Sequence, residues 1–317
     1  MTLQTQNIWN GRIGTVTIGA DRAHGGTRTL QYTLGGEQDL AAVGPGATQQ
    51  RPLIAAEICD DPGIWSPIVN TFMGDTVNDT AGWAGTMESE YHPDIVRLHL
   101  TSTRKRNFKD FSGIPETVSG VLKSTGLPLI IEGSNDPSID SEVYQKCGEA
   151  SSGERVLLGT AEAGRYRSIA AAAMAYNHCI IAQSPIDINL AKQLNILLKE
   201  IGVPYDRILI DPYTGALGYG FEYSYSVMER IRYAALKGDQ DLAMTMISAA
   251  PDSLNIREVR EARDDETDRT AATWEFYTAF SAVIAGASIV CVRHPLAIPL
   301  LKSAIDSIWP HSAGREA

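Results

Sequence analysis

The residue types most able to do chemistry recur just after short apolar runs. Glu57 and Asp60 follow one such run, Thr101 and Ser102 the next, and Ser134, Asn135 and Asp136 the third. Further along come Glu162, then Gln183, Ser184 and Asp187, then Asp211, Tyr213 and Thr214, and last Arg293 and His294. Carboxylates, amides and hydroxyls so placed can bind a polar ligand or move a proton, provided the fold gathers them on one face. The densest string is Asp211-Pro-Tyr-Thr-Gly-Ala-Leu-Gly-Tyr-Gly220. Its glycines admit positive φ and let backbone N–H groups approach closely, so the loop reads as ligand-facing. The spacing Gly215-x-x-Gly218-x-Gly220 is neither the dinucleotide fingerprint nor a P-loop.

Other chemistries find no support. Cys59, Cys147, Cys179 and Cys291 are isolated, so no zinc or iron–sulfur ligand set is visible. Cys179 and Cys291 fall inside apolar runs and read as small buried hydrophobes. The histidines make no H-E-x-x-H pair, and G-x-S-x-G is missing. Arg104-Lys105-Arg106 with Lys109 reads as a solvated basic loop, or as a contact for a phosphate or an acidic partner. Asp264-Asp265-Glu266 with Asp268 suits the positive end of a following helix dipole.

The elements that must position these residues repeat. Strands are expected at Leu53–Ile58, Ile95–Leu100, Leu129–Glu132, Arg155–Leu158, Cys179–Ala182, Arg207–Ile210, Ala243–Ile247 and Ser288–Val292. They start about 34 residues apart, the length of a βα unit. Most are continuous apolar runs, as parallel strands covered on both faces should be. Eight such units predict an α/β fold, a (β/α)8 TIM barrel, with its chemistry at the strands' C-terminal ends. A doubly wound open sheet is the alternative. A helix is expected from Asn189 to Ile201, with Leu190, Ala191, Leu194, Leu197, Leu198 and Ile201 inward. Asp187 would cap it and Gly202 with Pro204 would stop it. Another helix should run from Glu222 to Lys237, and Pro295 should open the last one. Gly14–Gly19 and Thr27–Leu34 predict an N-terminal β-hairpin, either plugging the barrel bottom or packed on its side. The expected division is residues 1–50 hairpin extension and linker, 51–309 barrel, and 310–317 a frayed tail.

Composition fits this picture. Of 317 residues, 44% are hydrophobic and 21% charged, which excludes wholesale disorder. A net charge of −11 opposes nucleic-acid binding, which needs a positive field. Four cysteines suit a reducing compartment rather than a disulfide scaffold. No secretory signal is visible, and the best apolar stretch, Ala279 to Val292, is too short to span a membrane, so a cytoplasmic protein is expected.

Several strings, taken in order, resemble a known family. They are Gly25-Gly-Thr-Arg-Thr29, Leu158-Gly-Thr-Ala-Glu162, Ser184-Pro-Ile-Asp-Ile-Asn189 with Lys192-Gln-Leu-Asn195, and Ile210-Asp-Pro212. Gly218-Tyr-Gly-Phe-Glu-Tyr-Ser224, Met228-Glu-Arg-Ile-Arg232 and Arg293-His-Pro295 continue the series. Together they resemble the small subunit of the corrinoid iron–sulfur protein, related to the delta subunit of the archaeal acetyl-CoA decarbonylase/synthase complex. The resemblance runs from about residue 10 to residue 309.

The resemblance implies a barrel paired with a larger subunit that carries the iron–sulfur cluster and most of the cobalamin site. This chain would hold no cluster and would cover the shared cobalamin. The pair would carry a methyl group from a methyl-pterin, through its methyltransferase, to acetyl-CoA synthase in the reductive acetyl-CoA (Wood–Ljungdahl) pathway. Asn135, Asp187, Asn189, Tyr213, Thr214, Gly218, Arg293 and His294 are the expected cofactor-facing residues, with no catalytic residue and no metal ligand in this chain. Asp21-Arg-Ala-His24 is one residue off the D-x-H-x-x-G signature of cobalamin-ligating domains and lies in the hairpin, so it is set aside. Two other readings stand beside this one. A pterin-binding methyltransferase barrel would use Asp60, Asn135 and Asp211 on the pterin. A structural scaffold would leave the barrel mouth without a ligand.

Overall fold

A computed structural model describes residues 9–40, 50–105 and 107–309 of the chain. Arg106, most of the expected linker 44–52 and the tail 310–317 lie outside the described residues. An antiparallel pair comes first, β1 (Val16–Ile18) and β2 (Tyr32–Leu34). Eight parallel strands follow: β3 (Leu53–Cys59), β4 (Ile95–His99), β5 (Leu129–Glu132), β6 (Leu157–Ala161), β7 (Cys179–Gln183), β8 (Ile208–Asp211), β9 (Met246–Ala249) and β10 (Ala287–Val292). They close in chain order into a barrel, β10 pairing with β3. The open sheet is thereby excluded, and helices pack around the outside.

β8 starts one residue later than expected; β6 and β9 start later still, for a shared reason. The Arg155 carbonyl accepts from Gly19 N–H at 3.0 Å, and the Ala243 carbonyl from Gly14 N–H at 2.5 Å. Backbone groups that would extend β6 and β9 downward are therefore engaged by the N-terminal extension. That extension plugs the bottom of the barrel. Val16, Ile18 and Leu34 are buried against Leu53, Ile95, Ile130, Leu157, Leu209, Ile247 and Ile289, which face inward near the strands' N-terminal ends. Burying three such side chains contributes about 1.5–3 kcal/mol each. Gly35, at φ 90, passes so close to the Gly14 carbonyl that any Cβ would collide with it.

The helix Ile188–Glu200 begins as expected, with Asp187 accepting from the N–H groups of Asn189 and Leu190. Ala191, Leu194 and Leu198 face inward, but Leu190 is exposed in the first turn, as is Ile186 before it. The helix Phe221–Leu236 buries Val227, Met228, Ile231 and Ala235. Glu266 and Asp268 start the helix Thr267–Ile284, as the acidic run predicted. Pro295 does not open the last helix, which runs Ala297–Ile308. His294 and Pro295 instead form a tight turn, their carbonyls accepting from Ala297 and Ile298. All four cysteines are buried free thiols. Among the described residues, no helix is long and apolar enough to cross a membrane.

One buried ion pair fastens the plug. Arg28 donates to Glu154 at 2.9 Å and to the carbonyls of Leu122, Thr125 and Leu127, while Glu154 also accepts from the Thr27 backbone and hydroxyl. Removing the guanidinium strands a buried carboxylate and three carbonyls. Arg28→Met is therefore expected to cost about 3–5 kcal/mol, measured by urea unfolding. Arg28→Met combined with Glu154→Gln should cost less than the two changes summed; strict additivity would contradict the pairing.

Candidate functional site

Strand parity sets what faces the barrel axis. Along β3 the inward residues are Leu53, Ala55 and then Glu57; along β4 they are Ile95, Arg97 and His99; along β5, Ile130 and Glu132. The lower positions are apolar and pack on the plug. The upper ones are polar or charged and line a cavity of about 320 Å³ at the C-terminal mouth. Register holds them level, with Glu57 beside Arg97, His99 beside Glu132 and Gln183 beside Asp211.

The charges form one connected network. Arg97 donates to Glu57 at 2.7 Å and closely to Glu132. Glu57 also accepts from Arg293 at 2.6 and 3.1 Å, and Glu132 from Arg104 at 2.8 Å. The Arg293 guanidinium lies 3.8 Å from the Trp65 ring centroid, a cation–π contact that fixes its plane. Behind the mouth, the buried Glu275 accepts from the backbone N–H groups of Arg293 and His294 at 2.6 and 2.7 Å. Burial pushes that carboxyl up to about 8 against the pull of those two donors. Burial alone would raise Glu57, but Arg293 and Arg97 overcome it and hold the carboxyl well below the usual range. Burial likewise opposes ionisation of Glu132, and Arg97, His99 and Arg104 bring it down to about 2. Both carboxylates are thus paired anions, poorly suited to act as bases.

Asp211 differs. It sits at the end of β8, accepting from Gln183 at 2.8 Å and from Tyr213 N–H at 2.9 Å, with no cation hydrogen-bonded to it among the described residues. Burial raises it to about 6 despite those two bonds. Thr214 and Ser248 share a hydroxyl bond of 2.7 Å close by.

Asn135, Tyr213, Thr214 and Arg293 all line this cavity, so the structure brings half of the expected face together. The others lie elsewhere. Asp187 is occupied as a helix cap, and Asn189 is exposed in the turn after it. Gly218 lies near Trp274 at φ 78. His294 is fully buried; its Nδ1 accepts from Leu296 N–H, which leaves Nε2 to donate to Asp268 at 3.2 Å. Arg104, read as part of a solvated loop, instead reaches into the mouth. Asp60 is held outside by the hydroxyls of Thr101 and Ser102 and by Ser102 N–H, so the expected trio Asp60, Asn135 and Asp211 is not assembled. Tyr213, at φ 62, and Tyr219 tie the glycine loop to Asp252 and Glu258.

Arg97, His99 and Glu132, the centre of the network, were not among the expected site residues. Their signal was present. A polar or charged residue inside a strand buried on both faces has nowhere to go but the barrel interior, and Ile95-Val-Arg-Leu-His99 carries two. Among the described residues, no group of three or more His, Cys, Asp or Glu could hold a metal ion.

The Asp211 environment has a measurable consequence. Its proton is held more tightly in the folded chain, near 6, than at the ordinary value of 3.8. That contribution to stability is therefore complete below about pH 4 and lost as pH rises through about 6. The loss amounts to at most about 3 kcal/mol. Asp211→Asn should flatten the pH dependence, gaining on the parent chain between about pH 4 and 7 in urea unfolding. Parallel profiles for the two proteins would contradict the assignment.

Comparison with known proteins places the chain. The family model described as CO dehydrogenase/acetyl-CoA synthase delta subunit matches residues 15–293. The acetyl-CoA decarbonylase/synthase complex subunit delta of Archaeoglobus fulgidus is 34% identical over 316 residues, covering 96% of this chain and 70% of that protein. Its counterpart from Methanopyrus kandleri is 33% identical over 301 residues, covering 93% of this chain and 75% of that protein. Among solved structures, a dihydropteroate synthase from Xanthomonas albilineans superposes with a TM-score of 0.60 at 14% identity, covering 93% of this chain and 98% of that one. The 7,8-dihydropteroate synthase of Vibrio fischeri gives 0.57 at 11%, covering 83% and 94%. At such identities these two speak to the barrel fold alone. The match across nearly the whole barrel, at a third identity to complex subunits, is decisive: this chain belongs to the CO dehydrogenase/acetyl-CoA synthase delta subunit family.

Proposed function

We propose that this chain is the barrel subunit of a corrinoid methyl carrier, covering a cobalamin held mainly by a larger iron–sulfur subunit. In this reading the carrier takes a methyl group from a methyl-pterin by way of its methyltransferase and delivers it to acetyl-CoA synthase. It works in the cytoplasm, without a nucleic-acid or membrane partner. One observation carries the reading beyond family membership: the mouth's two glutamates are already engaged by its own arginines. A mouth so self-paired binds and shields; it offers no activated nucleophile for a reaction of its own.

The residues present fit such a cover. Asn135, Asn255 and Tyr213 stand exposed on the rim as neutral hydrogen-bonding groups, and Ile64 adds an exposed apolar side chain. Deeper, both ring nitrogens of His99 and the Nε of Arg97 are buried without a hydrogen-bond partner. Such orphans are costly unless something polar reaches them. Bound cobalamin would supply a reactive cobalt whose methyl chemistry needs water kept away. This chain's share is the exclusion of water by the rim and the hydrogen bonding of the cofactor's polar periphery. Asn135, Tyr213 and Thr214 are the residues proposed to make those contacts, with Arg293 held behind them by Glu57.

A second reading has one supporting observation. Asp211 with Gln183 and Asn135 could bind a pterin directly in the mouth, the chain then acting as a methyltransferase. Two measurements separate the readings. Co-expressed with a larger iron–sulfur partner, the chain should co-purify at micromolar concentration and show a corrinoid absorption band that it lacks alone. Failure to co-purify contradicts the covering role. Calorimetry of methyltetrahydrofolate against the chain alone should give no binding heat up to millimolar ligand; saturable heat would favour the methyltransferase.

A further inference from the structure

One wall of the mouth hangs on a carboxyl that lies behind it. Glu275, in the middle of the helix Thr267–Ile284, is fully buried. Its Oε1 accepts from Arg293 N–H at 2.6 Å and its Oε2 from His294 N–H at 2.7 Å. Among the described residues it has no ion-pair partner, since the Arg293 guanidinium turns instead to Glu57, at 2.6 and 3.1 Å. Arg293 is thus held at its backbone by one glutamate and at its tip by another, with Trp65 stacked on the tip. Glu57 has two guanidiniums to keep it ionised, and Glu275 has only neutral N–H groups.

We infer that Glu275 is a proton-operated latch on this wall: as a carboxylate it clamps the two N–H groups and fixes Arg293 between Glu57 and Trp65, and on taking up a proton it slackens that hold. A carboxylate offers two anionic oxygens, so both bonds are charge-assisted. The acid keeps one carbonyl oxygen, and its hydroxyl is a poorer acceptor for the second N–H. Burial without a paired cation favours the acid and pushes the carboxyl up to about 8. The folded chain therefore holds this proton more tightly than the ordinary value of 4.5 implies, and the latch is shut above about pH 8 and slack below it.

The charges that bear on Glu275 are Arg293, which favours its ionisation, and Glu57, which opposes it. His294 turns its ring to Asp268, and burial makes that ring harder to protonate. The Cys291 thiol of β10 is pushed up to about 12 by burial and stays neutral. Of the elements packed on this helix, Pro67–Met73 and β9 carry no ionisable side chain. The charges of the others are engaged elsewhere: Asp252 with Tyr213, Arg257 with Glu261, and Glu258 with Tyr219. Lys302 reaches the His92 carbonyl, Asp306 pairs with Arg51, and Arg232 reaches the Asp39 carbonyl. Glu222, Glu229, Arg230, Arg260 and Arg269 are exposed.

The test follows two signals of the intact chain through a pH titration from about 5 to 10. The Glu275 carboxyl ¹³C signal, assigned through its contacts with the Arg293 and His294 amide protons, should titrate with a midpoint between about 7 and 9. The Trp65 indole ¹⁵N–¹H signal, assigned with Trp65→Phe, should show a step at the same midpoint, clear of any step from Asp211 near 6. Glu275→Gln should abolish that step. Asp268→Asn, which removes the partner of His294, should leave its midpoint within about half a unit. A carboxyl midpoint below about 6, or a Trp65 signal that ignores the carboxyl, overturns the inference. So does a Trp65 step near 8 that survives Glu275→Gln, or one that moves by about a unit in Asp268→Asn. If Glu275→Gln does not fold, the two wild-type curves decide. The latch belongs to this chain whatever its mouth covers, so its failure leaves the covering role, read from the corrinoid band, untouched.

Discussion

A guanidinium inside a β-barrel can exist only if carboxylates meet it there. Arg97 points from β4 toward the barrel axis, where water is scarce and an unpaired charge would cost several kcal/mol. The flanking strands answer it: Glu57 from β3 and Glu132 from β5 each take one end of the fork. Each glutamate is then itself a buried anion, and each draws a second cation. Arg293 arrives from the end of β10, and Arg104 from the loop after β4. Trp65 stacks on Arg293, and Glu275 holds its backbone. The loops around the mouth are therefore placed by a chain of electrostatic demands that begins with one residue on one strand.

The lower half of the barrel obeys the opposite rule. Its axis is filled by Leu53, Ile95, Ile130, Leu157 and their neighbours, and sealed by Val16, Ile18 and Leu34 of the hairpin. That seal sets the charge network at the mouth on an apolar floor, which strengthens its pairing. The polarity gradient along one axis is thus shared between plug and network. Both suit the proposed role, in which the barrel presents a water-excluding surface to a cofactor held mainly by another subunit.

Much of this was legible in the residues. All eight barrel strands were legible, most of them as apolar runs, because strands buried on both faces leave few positions for solvent-facing side chains. The cap at Asp187 and the acidic start of the helix Thr267–Ile284 follow from local hydrogen bonding and dipole alone. The starts of β6 and β9 were not legible, since they depend on carbonyls taken by a segment more than 100 residues away in sequence. Polar loops after the strands do not reveal Arg97, His99 and Glu132, which reach the mouth from within the strands themselves. They do carry His294, whose polarity is used up behind the wall by Asp268 and Leu296. Local sequence marks which loops reach the mouth, but three-dimensional pairing decides which side chains remain free within it.

The central claim is that the Arg97 pairing organises the mouth, and a double-mutant cycle on Arg97→Met and Glu132→Gln tests it most directly. Each single change should destabilise the chain by about 3–5 kcal/mol in urea unfolding, because each strands a buried charge. The two together should fall short of the sum by about 2 kcal/mol or more. Additivity within about 0.5 kcal/mol would mean that the two side chains do not depend on each other, and would contradict the account.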